Sequence, residues 1–231
     1  MQARSGSARR IGRAALALAT CCGAIAAQPA RADELPYALD GLPREAAAGP
    51  FRCPEVEHAL YRGTSLRYDP PAFVHPGFRE RLARFEEVVR DVAVETYGRA
   101  PRTVRNLGTY ACRRMTTSPD WLSEHAFGNA IDVAGFDFDA APRGEPLAAG
   151  LDRAFRSGFE VRVLAHWSGR HAHAAVHARF LHTLAARLVP RADVFRVLLG
   201  PAYPGHKSHF HCDMAPVRLV RVFEGDEATE R

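Results

Sequence analysis

Two short polar stretches interrupt an otherwise apolar pattern, and they place the strongest limit on how this chain can fold. The first is Ser123-Glu124-His125-Ala126-Phe127-Gly128-Asn129-Ala130-Ile131-Asp132; the second is His206-Lys207-Ser208-His209-Phe210-His211-Cys212-Asp213. Both gather proton- and metal-binding side chains where a plain fold would put core residues. A catalytic zinc takes three protein ligands from His, Asp or Glu in a roughly tetrahedral array and keeps one position open. His125 and Asp132 can supply two of them if the loop through Gly128 and Ala130 runs into a strand. Strand alternation puts His209 and His211 on one face, about 7 Å apart along the backbone at ~3.3 Å per residue. One of this pair can bind metal while the other reaches water or substrate. The fold must therefore bring both stretches to one point. HExxH is absent, which removes the helical metallopeptidase class.

The surrounding pattern says how that can be done. His75-Pro76 opens a helix in which Phe78, Leu82, Phe85, Val89 and Val92 alternate spacings of four and three, and Gly98 stops it. Val176, Phe180, Leu184 and Leu188 mark a second helix, ended by Pro190. Thr103–Cys112, Ile131–Phe138, Phe159–Leu164, Val194–Leu199 and His209–Met214 read as β-prone runs, the last two joined by the turn-rich Gly200–Gly205. This order predicts an α+β domain with a small, mainly antiparallel sheet flanked by helices and a zinc site at the sheet face. The expected organisation is a signal segment over 1–32, an exposed lead-in over 33–50, the domain over 51–216 and a tail over 217–231.

Charge and cysteine usage bear on compartment and partners. Residues 1–32 hold five Arg and no acid, while the rest balances 26 basic against 26 acidic residues. The net charge of +5 therefore sits in the leader and gives no reason to expect a nucleic-acid partner. Arg4, Arg9, Arg10 and Arg13, then an apolar run from Ala14 to Ala27, then small residues through Ala32, follow the order of a secretory signal. The apolar run is short for a bilayer span, so the mature chain is expected to be exported, periplasmic or extracellular, with no transmembrane segment after cleavage. Thr20 stands where a lipid-attachment signal favours Gly, Ala or Ser, which disfavours anchoring at Cys21. Cys53, Cys112 and Cys212 remain in an oxidising compartment, and one disulfide plus one free thiol is the simplest expectation. Lys207 is the chain's single lysine, which discounts Schiff-base chemistry.

Ser-x-His-x-x-Gly-x-Ala-x-Asp at 123–132 followed by His-x-His at 209–211 resembles the signature of zinc peptidases of the bacterial cell wall, the group of D-alanyl-D-alanine carboxypeptidases and the penicillin-insensitive murein endopeptidase. More closely, Tyr110-Ala111-Cys112-Arg113, Leu122–Ala126, Val197–Pro201 and His206–Asp213 resemble the bacterial extensin-like C-terminal family. The resemblance implies one zinc ion on His125, Asp132 and His211, proton transfer by His209 or His206, and Arg113 stabilising an oxyanion or holding a substrate carboxylate. It implies peptidoglycan or its stem peptides as the partner. The carboxypeptidases place a Glu three residues before the last ligand His, and here that position is Ser208. An imidazole with a pKa of about 6.5 can act as the base instead, as in the endopeptidase-like subgroup. Family members often carry a Cys near the end of the helix before the last strands. Leu188–Asp193 has none, leaving Cys53 or Cys212 as the partner of Cys112.

Other features receive plainer readings. His166, His171, His173, His177 and His182 are expected to be solvated helix histidines. Ser123 lies too close to His125 for a Ser-His-Asp hydrolase, no Gly-x-Ser-x-Gly elbow occurs, and the serine is read as fixing the loop. Trp121 and Trp167 either line a groove or pack. Asp213 either orients a ligand histidine or ends a strand in solvent. The expected function is an exported zinc hydrolase cleaving an amide of peptidoglycan, of D,D-endopeptidase or carboxypeptidase type. The alternatives are a zinc-stabilised binding module, as implied by the hedgehog signalling domain, which resembles this fold and ligand set yet is used for binding, and a metal-free homologue.

Overall fold

The computed structural model describes residues 39–46, 48–170 and 172–225. The expected signal segment and His171 lie outside the described residues.

The long apolar periodicity forms the principal helix. α1, Pro76–Tyr97, begins where the His75 side chain accepts a hydrogen bond from Gly77 N with Pro76 in the first turn, and ends at Gly98 in the left-handed conformation with φ 71°. Phe78, Leu82, Phe85, Val89 and Val92 are all buried. The second helix, α3 (Ala172–Leu188), packs on α1. Between them in sequence lies the four-residue α2, Val163–His166.

The strands are β1 (Ala59–Tyr61), β2 (Arg67–Asp69), β3 (Ala72–Val74), β4 (Thr103–Asn106), β5 (Ala130–Phe138), β6 (Phe159–Arg162), β7 (Val197–Leu199), β8 (Phe210–Asp213) and β9 (Leu219–Arg221). β1 and β3 form a ribbon of their own; the larger sheet runs β2-β4-β5-β8-β7-β9, with β6 also pairing β5. The α+β class is as the sequence predicts. The sheet is mixed, because β2 lies parallel to β4 and β9 parallel to β7 while the other pairings are antiparallel.

β5 is the axis of the sheet, and an irregularity in it matters to the site. Arg105 of β4 faces Gly135 but the next residue, Asn106, faces Val133, so Ala134 is an extra residue in β5. That bulge flips the side-chain phase. Ile131 and Val133 ahead of it and Phe136 and Phe138 behind it are all buried, while Asp132 and Asp137 share the other face. Phe136 and Phe138 both meet the Phe180 ring of α3 edge-on.

Two regions expected outside the domain are built into it. In the lead-in, Leu39 and Ala46 are buried, and Glu45 pairs with Trp121. The expected tail supplies β9. β9, with three residues of partly exposed pattern, carries too little alternation to be seen in the sequence. No described helix is long and apolar enough to cross a membrane.

Candidate metal centre

The two polar stretches meet at the junction of β5 and β8. Asp132 of β5 and His211 of β8 are directly opposed in the antiparallel register. His125 arrives from a 3-10 turn, Glu124–Phe127, which Ser123 caps with its hydroxyl and which Gly128 ends with φ 60°. Ser123 thus fixes the loop, as read from the sequence. A Cβ on Gly128 would lie 2.4 Å from the His58 ring, so both conformation and space demand glycine there.

Ligand atoms of His125, Asp132 and His211 all lie within 4.8 Å of one another, and the three could hold a metal ion. His211 Nδ1 is 2.9 Å from Asp132 Oδ1, and His125 Nε2 is 3.3 Å from the same oxygen. The outer nitrogen of each ring is engaged. His125 Nδ1 lies 3.3 Å from the Thr109 carbonyl, and His211 Nε2 lies 2.7 Å from Asp213 Oδ2. With the outer nitrogens so held, His125 Nε2 and His211 Nδ1 face Asp132, able to donate to its carboxylate in the metal-free chain and to present lone pairs to a metal ion that replaces the proton, the arrangement by which protein groups orient metal-binding imidazoles. Asp213 is buried, and its other oxygen accepts from Ala215 N at 2.8 Å. It orients His211 and does not end a strand in solvent.

The electrostatics favour a cation. Burial alone would lower the His211 pKa, yet hydrogen bonds to Asp132 and Asp213 and their charges push it up to about 9. Burial would likewise raise the Asp132 pKa, but hydrogen bonds from His125 and His211 and their charges hold it well below the usual carboxylate range. A site that retains a proton this firmly is one that a divalent ion can take over, releasing the proton. Two nitrogens and one carboxylate oxygen match the donor set of an open zinc site. Asp132 and His209 keep 16% and 13% of their side chains exposed, so the cluster is not sealed.

The predicted histidines of the second stretch flank this centre. His209 Nε2 is 3.6 Å from Asp132 Oδ1, and the His206 ring lies 4.9 Å from that of His209 and 5.8 Å from that of His211. His206 Nδ1 donates to the Pro204 carbonyl at 2.9 Å, which leaves Nε2 as its free base. Burial is the chief cause lowering the pKa of both His206 and His209, so both rings are neutral at pH 7. Arg113 is exposed, and its charge is felt at His206.

Residues 38–145 match the family described as Extensin-like protein C-terminus. This supports the extensin-like resemblance over just under half of the chain, a span that takes in His125 and Asp132 and ends before His206–Asp213. No curated protein and no solved structure matches the chain significantly. Inside the extensin-like span, Cys53 and Cys112 form a disulfide, while Cys212 is free and buried.

One expectation needs correction. His177 is not a solvated helix histidine: it is buried, its Nδ1 lies 2.8 Å from Tyr97 Oη, and Phe155 and Phe159 cover it. His173 and His182 are exposed, the first paired with Asp152 and the second with the Trp167 carbonyl. Trp167 packs against Phe210 and Phe223, whereas Trp121 is 46% exposed. The sequence reading missed Thr109, which acts through its backbone, and Glu124, whose buried carboxylate binds Arg44 and Asn129.

Proposed function

We propose that this chain is an exported zinc-dependent hydrolase that cleaves an amide bond of peptidoglycan, of D,D-endopeptidase or carboxypeptidase type. The observation that carries the reading is the convergence of His125, Asp132 and His211, with ligand atoms within 4.8 Å, beside two imidazoles outside that triad. His125, Asp132 and His211 would hold the ion, which when bound supplies a Lewis acid and an activated water. His206 and His209, neutral at pH 7, are suited to accept the proton of the attacking water and return it to the leaving amine. Arg113 would steady negative charge on a substrate oxygen, a role that rests on the resemblance. Export and the peptidoglycan substrate rest on the signal-like leader and on the resemblance of 123–132 and 206–213 to cell-wall peptidases.

A zinc-stabilised binding module is the second reading, and the position of His209 favours it. His209 Nε2 lies 3.6 Å from Asp132 Oδ1 but outside the group of ligand atoms within 4.8 Å of one another, so a side-chain shift that brought it onto the ion would close the coordination and leave no open position. One experiment separates the two. Bound zinc is measured on the purified protein, which is then incubated with purified cell-wall sacculi beside His211→Ala. New muropeptides from the wild type alone support the hydrolase; bound zinc with an unchanged muropeptide profile supports the binding module.

A further inference from the structure

We infer that Arg44, in the segment ahead of the first strand, is a positioning residue of the metal centre. The inference rests on the reading of His125, Asp132 and His211 as metal ligands.

His125 is carried by a single 3-10 turn, and Arg44 holds that turn at both ends. Its Nε donates to Glu124 Oε1 at 2.6 Å, and its guanidinium carbon lies 5.1 Å from the centroid of the Phe127 ring. Glu124 and Phe127 are the first and last residues of the turn. The second oxygen of Glu124 accepts from the Asn129 side chain. The Asn129 carbonyl in turn accepts from Met214 N, at 3.3 Å, one residue beyond Asp213. One buried carboxylate therefore ties the His125 turn to the strand that bears His211.

Arg44 is itself fixed. Its Nη1 donates to the carbonyls of Leu39 at 2.8 Å and Leu42 at 3.2 Å, and its own carbonyl accepts from Leu122 N at 2.7 Å. The pair is desolvated, with 10% of the Arg44 side chain and 6% of the Glu124 side chain exposed. Without Arg44, Glu124 would be a buried carboxylate that has lost its 2.6 Å ion-pair partner, and it would have to turn out of the network toward water. That movement frees the turn that aims His125. Because ligand geometry is set by such outer partners, the loss falls on metal binding.

The test uses the full chain and zinc and cobalt(II) as probes, titrated against a competing chelator, with the visible cobalt(II) spectrum as a readout of ligand geometry. Arg44→Ala is expected to lower affinity by about 10-fold to 100-fold and to change the cobalt spectrum. Arg44→Lys, which keeps the charge, should recover part of both. Asp40→Ala serves as the control, since it removes a different ion pair of this segment, Asp40 with Arg196 at 3.0 Å, without touching Glu124. Its affinity should stay within about twofold of wild type, well below the loss of about 10-fold to 100-fold expected when an outer partner is removed. Wild-type affinity and spectrum in Arg44→Ala would overturn the inference alone, as would an equal loss in Asp40→Ala. A wild-type chain that takes up neither ion overturns the ligand reading as well. Should Arg44→Ala not fold, Glu124→Gln carries the same test, and unchanged affinity there is equally fatal.

Discussion

Asp213 decides which nitrogen of His211 faces the centre, because its 2.7 Å contact occupies Nε2 and leaves Nδ1 beside Asp132. Asp213→Asn keeps the shape but removes the charge, and the amide can offer either end to the ring. Zinc affinity measured by chelator competition should fall by about 10-fold to 100-fold. His211→Ala removes a ligand outright, and metal analysis after dialysis should find zinc on the wild type and none on the variant. At this scale the sequence was informative where chemistry clusters along the chain. The two dense polar stretches pointed to His125, Asp132 and one of His209 and His211, the family resemblance implied His211, and the register opposes Asp132 to it. Arg44 gave no signal, since it lies 80 residues from Glu124 and looks like any other arginine of an arginine-rich chain. Thr109 gave none because its contact with His125 uses a carbonyl that every residue has.

β5 carries Asp132 on a strand whose phase is reset by the Ala134 bulge, and Gly135 immediately follows. A Cβ on Gly135 would stand 2.0 Å from the Val161 carbonyl oxygen of β6, with no flexible side chain to give way. Gly135→Ala should therefore push β6 off β5 and cost roughly 3 kcal/mol, read as a lower urea midpoint. The disulfide acts on a different element, the loop after β4. Cys53–Cys112 closes a separation of 59 residues and pins the segment whose Ala111 N donates to the His125 carbonyl at 3.1 Å. Replacing both cysteines with serine should cost about 4 kcal/mol, measured by chemical unfolding against the oxidised wild type. Elements were legible in proportion to their length. α1, α3 and β5 show their periodicity over many residues, whereas β1, β2, β3 and β9 have three each. The parallel pairings at both ends of the sheet follow from chain crossings that no local pattern encodes.

Across the whole molecule, α1 and α3 are joined by the Tyr97–His177 contact within a shell of Phe138, Phe155, Phe159 and Phe180. The helical spacing of the histidines suggested solvent because it showed nothing of this shell, three of whose rings come from β5, β6 and the segment between them. Burial is the main cause lowering the His177 pKa from 6.5 to about 4, with the charges of His166 and His173 adding to it. The folded chain thus keeps His177 neutral while the unfolded chain protonates it near pH 6.5. Its contribution to stability is complete above that pH and is lost as pH falls from 6.5 toward 4. At about 1.4 kcal/mol per pH unit, and allowing for solvent screening, the loss amounts to roughly 2 kcal/mol. Glu86 adds a second loss at lower pH. Burial opposes its ionisation, but donors from Tyr61, Ser65 and Thr64 hold its pKa below 4.5, so its contribution fades as pH drops past that value. The two are separable by replacing both members of the first contact, which leaves no orphaned polar group. Urea unfolding of the metal-free chain at pH 7, 5.5 and 4.5 should show a wild type that weakens between the first two points. Tyr97→Phe/His177→Leu should weaken less than the wild type over that interval, keeping only the loss from the other imidazoles whose pKa burial lowers, His206 and His209 among them. Parallel decline of both proteins from pH 7 to 5.5 would mean that the acid sensitivity resides elsewhere than in this buried imidazole.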